Sequence, residues 1–466
     1  MGSNWKTTKL LDHYDIRSGL SKPAKDFGSG HQFLTFKDVF YNYFTPDELG
    51  DLVQSNDKER ENCSVKRGDV FLTRTSETMH ELGMSCVALQ DYENATFNGF
   101  CKRLRPHQNS ELVPEYVGYY LRSTKFRQSM LAFSTMSTRA SLNNEMIGRL
   151  EISYPPEEEQ IEIARVLKNL DDKITLNRQI NQTLEQMAQA LFKSWFVDFD
   201  PVVDNALDAG FFEQDLEFSD ELLRRAEFRN AARESSDFKP LSNDIRQQFP
   251  AAFEECVEPS LGLEGWIPKG WQAGELGDVL LLRNERIKPS SETKRIPYVP
   301  IECIGTKEPL LSESKSGEEA NSSLILFKEG DILFGAMRPY FHKVCIAPFN
   351  GVTRSTVFTL TAKDSESLYF SFFQAYQEST VEYATLHCEG STIPYAKWKG
   401  SLDRKPIVLP TKEVQHLFHQ RVKSFIEWGN SSNEQSQNIL KVRDTLLPKL
   451  ISGELRLDEI ETELVS

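Results

Sequence analysis

The sequence predicts an α+β fold in two tandem copies, each with a mixed domain followed by a long α-helix. Three observations predict it: similar segments recur in the same order, short strand-like runs follow tight turns, and a heptad pattern ends each copy. The two long helices are expected to pair with each other as an antiparallel coiled-coil spacer. With 466 residues, the chain has room for roughly two to four domains.

The repeat consists of matched segments whose offset shrinks along the chain. The offset falls from 266 residues at the first match to 254 at a later one, as expected when two copies lose or gain loop residues. The matched pairs are residues 5–12 with 271–278, 66–72 with 328–334, 137–138 with 391–392, 152–156 with 406–410, and 159–160 with 414–415. Because the matches keep their order, a duplication explains them better than chance similarity.

The first part of each copy mixes short strands with helices. A Gly-Asp turn precedes an apolar run at residues 68–73 and again at 330–334, which is typical of a turn feeding a buried strand. Residues 112–121 and 368–373 carry aromatic residues at spacings of three and four, which predicts helices.

The second part of each copy is a long helix with an apolar seam at heptad spacing. Prolines favour helix starts, and they place the helices at residues 155–197 and 411–455. The first seam has Ile163, Leu167, Leu170, Ile174, Leu184 and Leu191, with Asn177 and Asn181 at its centre. The second has Phe418, Val422, Phe425, Ile439, Leu446 and Leu450. An amphipathic helix covering only its own domain is the simpler alternative, but this length exceeds one domain and favours a partner helix.

The net charge of −15 is concentrated in one central stretch. Residues 197–265 carry 6 basic and 17 acidic side chains, whereas residues 1–154 carry 19 of each and residues 266–410 carry 17 of each. The overall charge therefore neither excludes nor supports DNA binding. We interpret the acidic residues 198–265 as a solvated connector between the copies rather than as an acidic binding surface.

The sequence shows no signature of catalysis. It has no phosphate-binding glycine loop, no HExxH motif and no nucleophile elbow. Its seven cysteines lack CxxC spacing, which fits reduced thiols in a cytoplasm rather than disulfides or a zinc site. His416 and His419 have no evident third ligand, so no metal is expected. No apolar run is long enough for a transmembrane helix. Because catalytic motifs are missing from the sequence, we expect a recognition or assembly protein.

Two similar domains joined by antiparallel helices would have the pseudo-two-fold symmetry of duplex DNA. Arg and Lys beside small hydroxyl residues suit phosphate contacts and base reading, so we select such clusters in both copies. In the first copy the DNA-binding candidates are Thr73, Arg74, Thr75, Ser76, Lys102, Arg103, Arg105, Ser137, Thr138 and Arg139. In the second they are Arg338, Tyr340, His342, Lys343, Arg354, Ser355, Ser391, Thr392, Lys397 and Lys399. Solvated surface charge is the competing interpretation of any one of them.

Four motifs resemble the specificity subunit of type I restriction–modification systems. They are the Tyr-Pro-Pro-Glu-Glu-Glu-Gln run at residues 154–160, the Leu-Phe-Lys-Ser-Trp-Phe-Val-Asp-Phe-Asp-Pro-Val run at 191–202, the Phe-Pro and Ile-Pro-Lys-Gly-Trp segments at 249–253 and 267–271, and the Leu-Leu-Pro-Lys-Leu-Ile-Ser-Gly-Glu-Leu run at 446–455. This resemblance spans the whole chain. It implies target-recognition domains at residues 1–154 and 266–410, spacer helices at 155–197 and 411–455, a connector at 198–265 and a C-terminal tail at 456–466.

The resemblance also implies the partners of the chain. Each domain would read one half of a bipartite, asymmetric target in double-stranded DNA, and the chain itself would be non-catalytic and bind no cofactor. Two methyltransferase (modification) subunits would use S-adenosylmethionine, and restriction/translocase subunits would use ATP with Mg²⁺, in the cytoplasm of a bacterium or archaeon. The alternative is a non-catalytic coiled-coil adaptor that bridges proteins without reading DNA and binds no membrane.

Overall fold

The computed structural model describes residues 4–76, 81–132, 140–236, 238–390 and 392–456. The chain divides into two compact units. Unit 1 comprises residues 1–175 and 436–466, and unit 2 comprises residues 176–435. Both long helices contribute residues to both units.

Unit 1 combines short strands with helices and begins the first long helix. The strands are β1 (Lys6–Lys9), β2 (Tyr14–Ser18), β3 (Phe27–Leu34), β4 (Asp51–Val53), β5 (Val70–Thr73), β6 (Thr75–Ser76), β7 (Ser85–Val87), β8 (Thr96–Phe97), β9 (Cys101–Pro106), β10 (Ala140–Ser141) and β11 (Glu151–Tyr154). The helices are α1 (Phe36–Tyr41), α2 (Asp57–Asn62), α3 (Pro114–Arg122), α4 (Thr124–Ala132), α5 (Asn144–Gly148) and the long α6 (Glu157–Phe196).

Unit 2 starts with helices and then repeats the mixed pattern. Its helices are α7 (Asp200–Asp208), α8 (Asp220–Arg233), α9 (Asn243–Arg246), α10 (Leu276–Val279), α11 (Leu368–Tyr376), α12 (Glu378–Leu386) and the long α13 (Lys412–Ser452). Its strands are β12 (Phe253–Glu255), β13 (Trp266–Pro268), β14 (Gln272–Glu275), β15 (Leu280–Arg283), β16 (Arg286–Ile287), β17 (Leu324–Phe327), β18 (Ile332–Gly335), β19 (Val344–Ile346), β20 (Gly351–Thr353), β21 (Val357–Ala362) and β22 (Pro406–Leu409).

The same four-stranded antiparallel sheet occurs in each unit. Its order is β2-β9-β5-β7 in unit 1 and β15-β21-β18-β19 in unit 2. In both copies a two-stranded antiparallel ladder joins the strand that follows the repeated tryptophan, Trp5 or Trp271, to the strand that precedes the long helix, as β1 with β11 and as β14 with β22. The tandem repeat expected from the sequence is therefore present in the strand order.

A buried aspartate holds the tight turn before the central strand of each sheet. Gly68 and Gly330 adopt left-handed backbone angles, with φ of 85° and 82°. The next residue is a buried aspartate in each copy, and its carboxylate accepts a backbone N–H three residues upstream, at 2.8 Å for Asp69 and 2.7 Å for Asp331. The Gly-Asp turns predicted from the sequence are thus the same structural device in both units.

A glutamine marks the start of both long helices. Gln160 donates its side-chain amide to the carbonyl of Pro155 at 2.9 Å, and Gln415 donates to the carbonyl of Pro410 at 2.8 Å. Both glutamines are buried, so the two helices leave their sheets through the same hydrogen bond. This accounts for the Gln match at residues 160 and 415.

Side chains of the two long helices contact each other inside each unit. In unit 2, Asn177 donates to Gln435 Oε1 at 2.9 Å, and the rings of Trp195 and Phe418 lie 5.9 Å apart. In unit 1, Arg443 Nη1 lies 2.7 Å from Asp171 Oδ1. Lower-numbered residues of α6 thus meet higher-numbered residues of α13.

Most of the expected seam positions are buried, but the seam drifts by one residue. The buried ones are Ile163, Leu167, Ile174, Leu184, Phe418, Val422 and Leu450. The half-buried ones are Leu170, Leu191, Phe425, Ile439 and Leu446. Next to three of these, the buried residues are instead Phe192, Ile426 and Leu447. The drift has a geometric cause, because 3.6 residues per turn does not match a strict repeat of 3.5.

The acidic stretch after α6 is folded, and the expectation of a solvated connector is wrong. Apolar side chains of α7, such as Val202 and Val203, are fully buried in the core of unit 2. Its aspartates face arginines of α8, as in the 2.5 Å contacts of Asp200 with Arg225 and Asp204 with Arg229. Part of the charge that looks like a soluble linker in the sequence is therefore paired within a helical hairpin.

Candidate nucleic-acid interface

In both units the chain leaves the central strand through the same backbone hydrogen bonds. In unit 1, Arg74 N–H donates to the Phe100 carbonyl and the Arg74 carbonyl accepts from Leu142 N–H, both at 2.8 Å. In unit 2, Ala336 N–H donates to the Thr356 carbonyl at 2.9 Å, and its carbonyl accepts from Ala396 N–H at 2.8 Å. Three separate segments therefore converge at one equivalent place in each copy.

In unit 2 this convergence gathers most of the sequence-predicted residues. Arg338 is exposed and its N–H donates to the Pro394 carbonyl at 2.8 Å, next to exposed Thr392. Ser355 is also exposed. The guanidinium of neighbouring Arg354 donates a hydrogen bond to the hydroxyl of Ser322 at 2.7 Å. Among the described residues, the Arg338 guanidinium makes no ion pair or hydrogen bond. It is the best-placed cation of this surface.

The remaining unit 2 candidates differ in availability. Tyr340 is half exposed and Lys399 is exposed. Lys397 is exposed but lies 2.5 Å from Glu389 Oε1, so its charge is already matched.

In unit 1 the accessible candidates are Arg74, Thr75 and Lys102. Arg74 and Thr75 are half-buried at the edge of the sheet, and Thr75 pairs with Ser141 between β6 and β10. Lys102 donates to the Ser18 hydroxyl at 2.9 Å. Partial burial lowers the pKa of Lys102, and the nearby charge of Arg74 lowers it further. Two cations held this close favour an anionic ligand such as phosphate.

For five predicted residues the expectation of a free surface side chain is wrong, because their side chains are bound within the fold. In unit 1, Thr73 is fully buried and its hydroxyl accepts from Met84 N–H, and Arg103 is 3% exposed with its guanidinium on the Ser64 carbonyl at 2.6 Å. Arg105 forms a two-point ion pair with buried Asp69, at 2.7 and 2.6 Å. These side chains hold the fold, so they are not free to read bases.

The two such residues in unit 2 are His342 and Lys343. His342 is 6% exposed and its Nε2 contacts the Tyr376 carbonyl at 2.7 Å. Because a carbonyl only accepts, Nε2 carries the proton, and burial lowers the pKa of the ring. Lys343 donates to the carbonyls of Ile301 and Ile304 at 3.1 and 2.5 Å.

Some predicted positions fall outside the described residues. They are Ser137, Thr138, Arg139 and Ser391. For Ser76 only the backbone is described, and it pairs with Ala140. Across the described part of the chain, no cluster of His, Cys, Asp or Glu could hold a metal ion, and no helix has the length and apolar character needed to cross a bilayer.

Comparison with known proteins assigns the chain to a family. A family described as the type I restriction modification DNA specificity domain matches residues 2–186 and 268–442. The chain belongs to this DNA specificity family. It is 25% identical to the type I restriction enzyme MjaIX specificity subunit of Methanocaldococcus jannaschii, covering 98% of this chain and 95% of the relative. It is 26% identical to the HindI specificity subunit of Haemophilus influenzae, covering 97% and 100%.

A solved specificity subunit shares the fold. The type I restriction–modification S subunit from M. genitalium matches with a TM-score of 0.53 and 11% identity, covering 97% of each chain. Together these matches confirm the family resemblance seen in the sequence. The chain is a DNA sequence-specificity subunit of the type I restriction–modification kind, which is non-catalytic, and the adaptor alternative is not favoured.

Two exposed apolar side chains of this specificity subunit, Phe100 and Ile393, lie beside candidate cations but are not among the residues that the sequence singles out. Phe100 is 59% exposed beside Arg74, and Phe341 and Ile393 are 44% and 46% exposed beside Arg338. A search for cations and hydroxyls does not find Phe100 and Ile393, because the sequence pattern assigns apolar residues to the core. Phe341 lies in the run from Arg338 to Lys343, which the sequence already offers as a candidate reader.

Proposed function

We propose that this specificity subunit reads a bipartite, asymmetric target in double-stranded DNA, one half with each target-recognition domain. The domains are residues 1–154 and 266–410. The observation that carries the proposal is the equivalent convergence of three segments in each copy, which presents Arg74 and Lys102 in one copy and Arg338 in the other. The same scaffold with different side chains suits two half-sites of different sequence.

The long helices are proposed to act as the spacer between the half-sites. Residues 155–197 and 411–455 would pair as an antiparallel coiled coil, with Asn177 and Asn181 fixing the register. The hydrogen bonds of these two asparagines to α13, from Asn177 to Gln435 at 2.9 Å and from Asn181 to Asn433 at 2.6 Å, support this assignment. Residues 198–265 would join the two copies as a folded segment, and residues 456–466 would form the C-terminal tail.

The partners follow from the family. Two modification subunits would dock on this chain and methylate DNA with S-adenosylmethionine. Restriction/translocase subunits would add ATP- and Mg²⁺-dependent cleavage, so these cofactors belong to the partners. Because the substrate is cellular DNA, we place the complex in the cytoplasm of a bacterium or archaeon.

A methylation map tests the proposal directly. DNA from cells expressing this chain with the modification subunit encoded beside it is compared with DNA from cells lacking this chain. A split, asymmetric methylated motif that requires the chain is expected. If the partner is folded and bound to the chain but no new motif appears, the proposal is overturned.

Two kinds of variant test the roles proposed for Arg338 and for the long helices. Arg338→Ala should weaken discrimination in one half-site by about 5- to 150-fold, the usual range for a base-reading arginine, and leave the other half-site unchanged. Arg224→Ala, an exposed arginine on α8, is the matched control and should change neither half. Inserting one heptad after Ile174 should lengthen the spacer and keep both half-sites, whereas an unchanged spacer would refute the role of the helices.

A further inference from the structure

A strained turn projects from the unit 2 surface next to Arg338. It consists of residues 338–342, and both ends are left-handed without glycine, with φ of 52° at Arg338 and 49° at His342. Such backbone angles cost free energy in residues with a side chain, and they persist where the surrounding structure imposes them, often at functional sites. The turn is therefore held in one shape rather than left to relax.

The anchors of the turn lie on both sides of it. Pro339 is buried, and buried His342 donates Nε2–H to the Tyr376 carbonyl at 2.7 Å. The Arg338 N–H is bound by the Pro394 carbonyl at 2.8 Å, and the His342 carbonyl accepts from Lys307 N–H at 2.9 Å. Two backbone bonds and two buried side chains thus fix a turn of five residues.

Between these anchors the turn presents two aromatic rings. Tyr340 is 50% exposed and Phe341 is 44% exposed, and their ring centroids lie 4.8 Å apart. The buried Pro339 and His342 already secure the turn, so the two rings are not needed to hold it. A rigid, solvent-facing aromatic pair is suited to stacking against a planar ligand.

The neighbours of the rings favour a nucleic acid as that ligand. Arg338 is exposed at the start of the turn, and exposed Thr392 and Ile393 lie in the segment bonded to it. On the other flank, Glu378 is paired with Lys307 at 3.1 Å, which offsets its charge. A cation for phosphate beside apolar rings for bases is the combination by which DNA-deforming proteins unstack a base step.

We propose that Tyr340 and Phe341 form a wedge that unstacks one base step in the DNA half-site read by residues 266–410. The inference rests on the proposed function, since it requires this domain to contact DNA. The aromatic pair has no counterpart at the same place in the sequence of the other copy: Ser76 occupies the position equivalent to Arg338, and the residues that follow it in sequence are Glu77, Thr78, Met79 and His80. The inference therefore places this distortion in the half of the target read by residues 266–410.

Permanganate oxidation of unstacked thymines tests the wedge. The subunit, assembled with its modification subunits, is bound to duplexes carrying the mapped target, and the thymines on both strands of each half-site are probed. We expect hyper-reactive thymines at one step of the half-site read by residues 266–410. That signal should vanish in Tyr340→Ala/Phe341→Ala, with binding weakened by about 5- to 150-fold for each stacking ring lost.

Two controls separate a wedge from a general loss of binding. Phe341→Leu, which keeps an apolar wedge, should retain the reactive thymine. A mismatch placed at the same step removes the cost of unstacking, so it should restore most of the affinity of the double alanine variant. Assembly with the modification subunits is measured by gel filtration and should be unchanged.

The outcomes distinguish this inference from the function it rests on. Sequence-specific binding by the native complex without a reactive step, or an alanine variant that keeps the step, overturns the wedge and leaves the reading function intact. Loss of partner assembly in the variant also overturns the wedge, because the rings would then contact protein. Absence of sequence-specific binding by the native complex overturns the proposed function itself.

Discussion

Replacing Glu185 by Gln should stabilise unit 2 progressively as the pH rises from 4.5 to 7. Glu185 is half-buried on α6. Burial, reinforced by the negative charge of Glu308, raises the pKa of its carboxyl from 4.5 to about 7, although a hydrogen bond from the backbone of Leu310 opposes the shift. In the folded protein the carboxyl thus stays protonated at pH values where the unfolded chain has already ionised.

The size of the effect follows from linkage between protonation and folding. Below pH 4.5 both states are protonated and Glu185 costs nothing, whereas between pH 4.5 and 7 the unfolded state releases its proton first and stability falls. At 1.36 kcal/mol per pKa unit the full shift would cost about 3.4 kcal/mol above pH 7. Because the side chain keeps some contact with solvent, we expect about 1–2 kcal/mol. Glu185→Gln removes the ionisation and should recover that amount.

Urea unfolding of the native chain and of Glu185→Gln at pH 5, 6, 7 and 8 measures the difference. The gain in unfolding free energy should grow between pH 5 and 7 and then level off. Glu434→Gln, an exposed glutamate of α13 in the same unit, is the matched control and should show no such trend. A gain that is equal at pH 5 and pH 8 would refute the reasoning, because it would come from packing rather than from the charge.

Three further substitutions test the packing and the turns. Arg105→Ala should lower the unfolding free energy by about 3 kcal/mol, because buried Asp69 loses its partner. The folded variant should still discriminate DNA sequences normally in binding assays. A loss of discrimination would show that Arg105 contacts the bases after all. Trp195→Ala should cost about 3–5 kcal/mol by thermal or urea unfolding, since this indole is 1% exposed, and a much smaller loss would mean that the core closes around the gap. Gly330→Ala should cost about 1–2 kcal/mol because its φ is 82°, whereas Gly50→Ala, with no left-handed angle and open space around it, should be nearly neutral in the same assay.

The tandem repeat and the apolar seam of the long helices could be predicted from the sequence, because both depend on regular spacing. The Gly-Asp turns at Gly68 and Gly330 and the glutamines that open the long helices recur at matched positions, and the structure gives them matched hydrogen bonds. The exact seam positions could not be fixed. Over forty residues the helical drift moves burial from Leu191 to Phe192 and from Leu446 to Leu447, which no strict heptad anticipates.

The candidate interface was harder to predict because sequence does not reveal which charges face inward. Arg103 and Arg105 look like surface cations in the sequence. In the structure the side chain of Arg103 is buried, and Arg105 forms an ion pair with Asp69, 36 residues earlier in the chain. The same difficulty affected the stretch after α6, whose net charge hides the pairing of Asp200 and Asp204 with arginines one helix away. Long-range pairing of this kind depends on the fold, not on local composition.

The ladders of β1 with β11 and of β14 with β22 bring the two ends of each recognition domain side by side. Lys6 lies opposite Tyr154, and Gln272 lies opposite Leu409. A domain whose entry and exit are neighbouring strands behaves as a cassette, because a foreign insert joins the chain at one short ladder and otherwise has to pack only on the faces of the long helices that close its core. Exchange of such a cassette would replace half of the recognised sequence in a single recombination event while leaving the long helices, and whatever binds them, untouched.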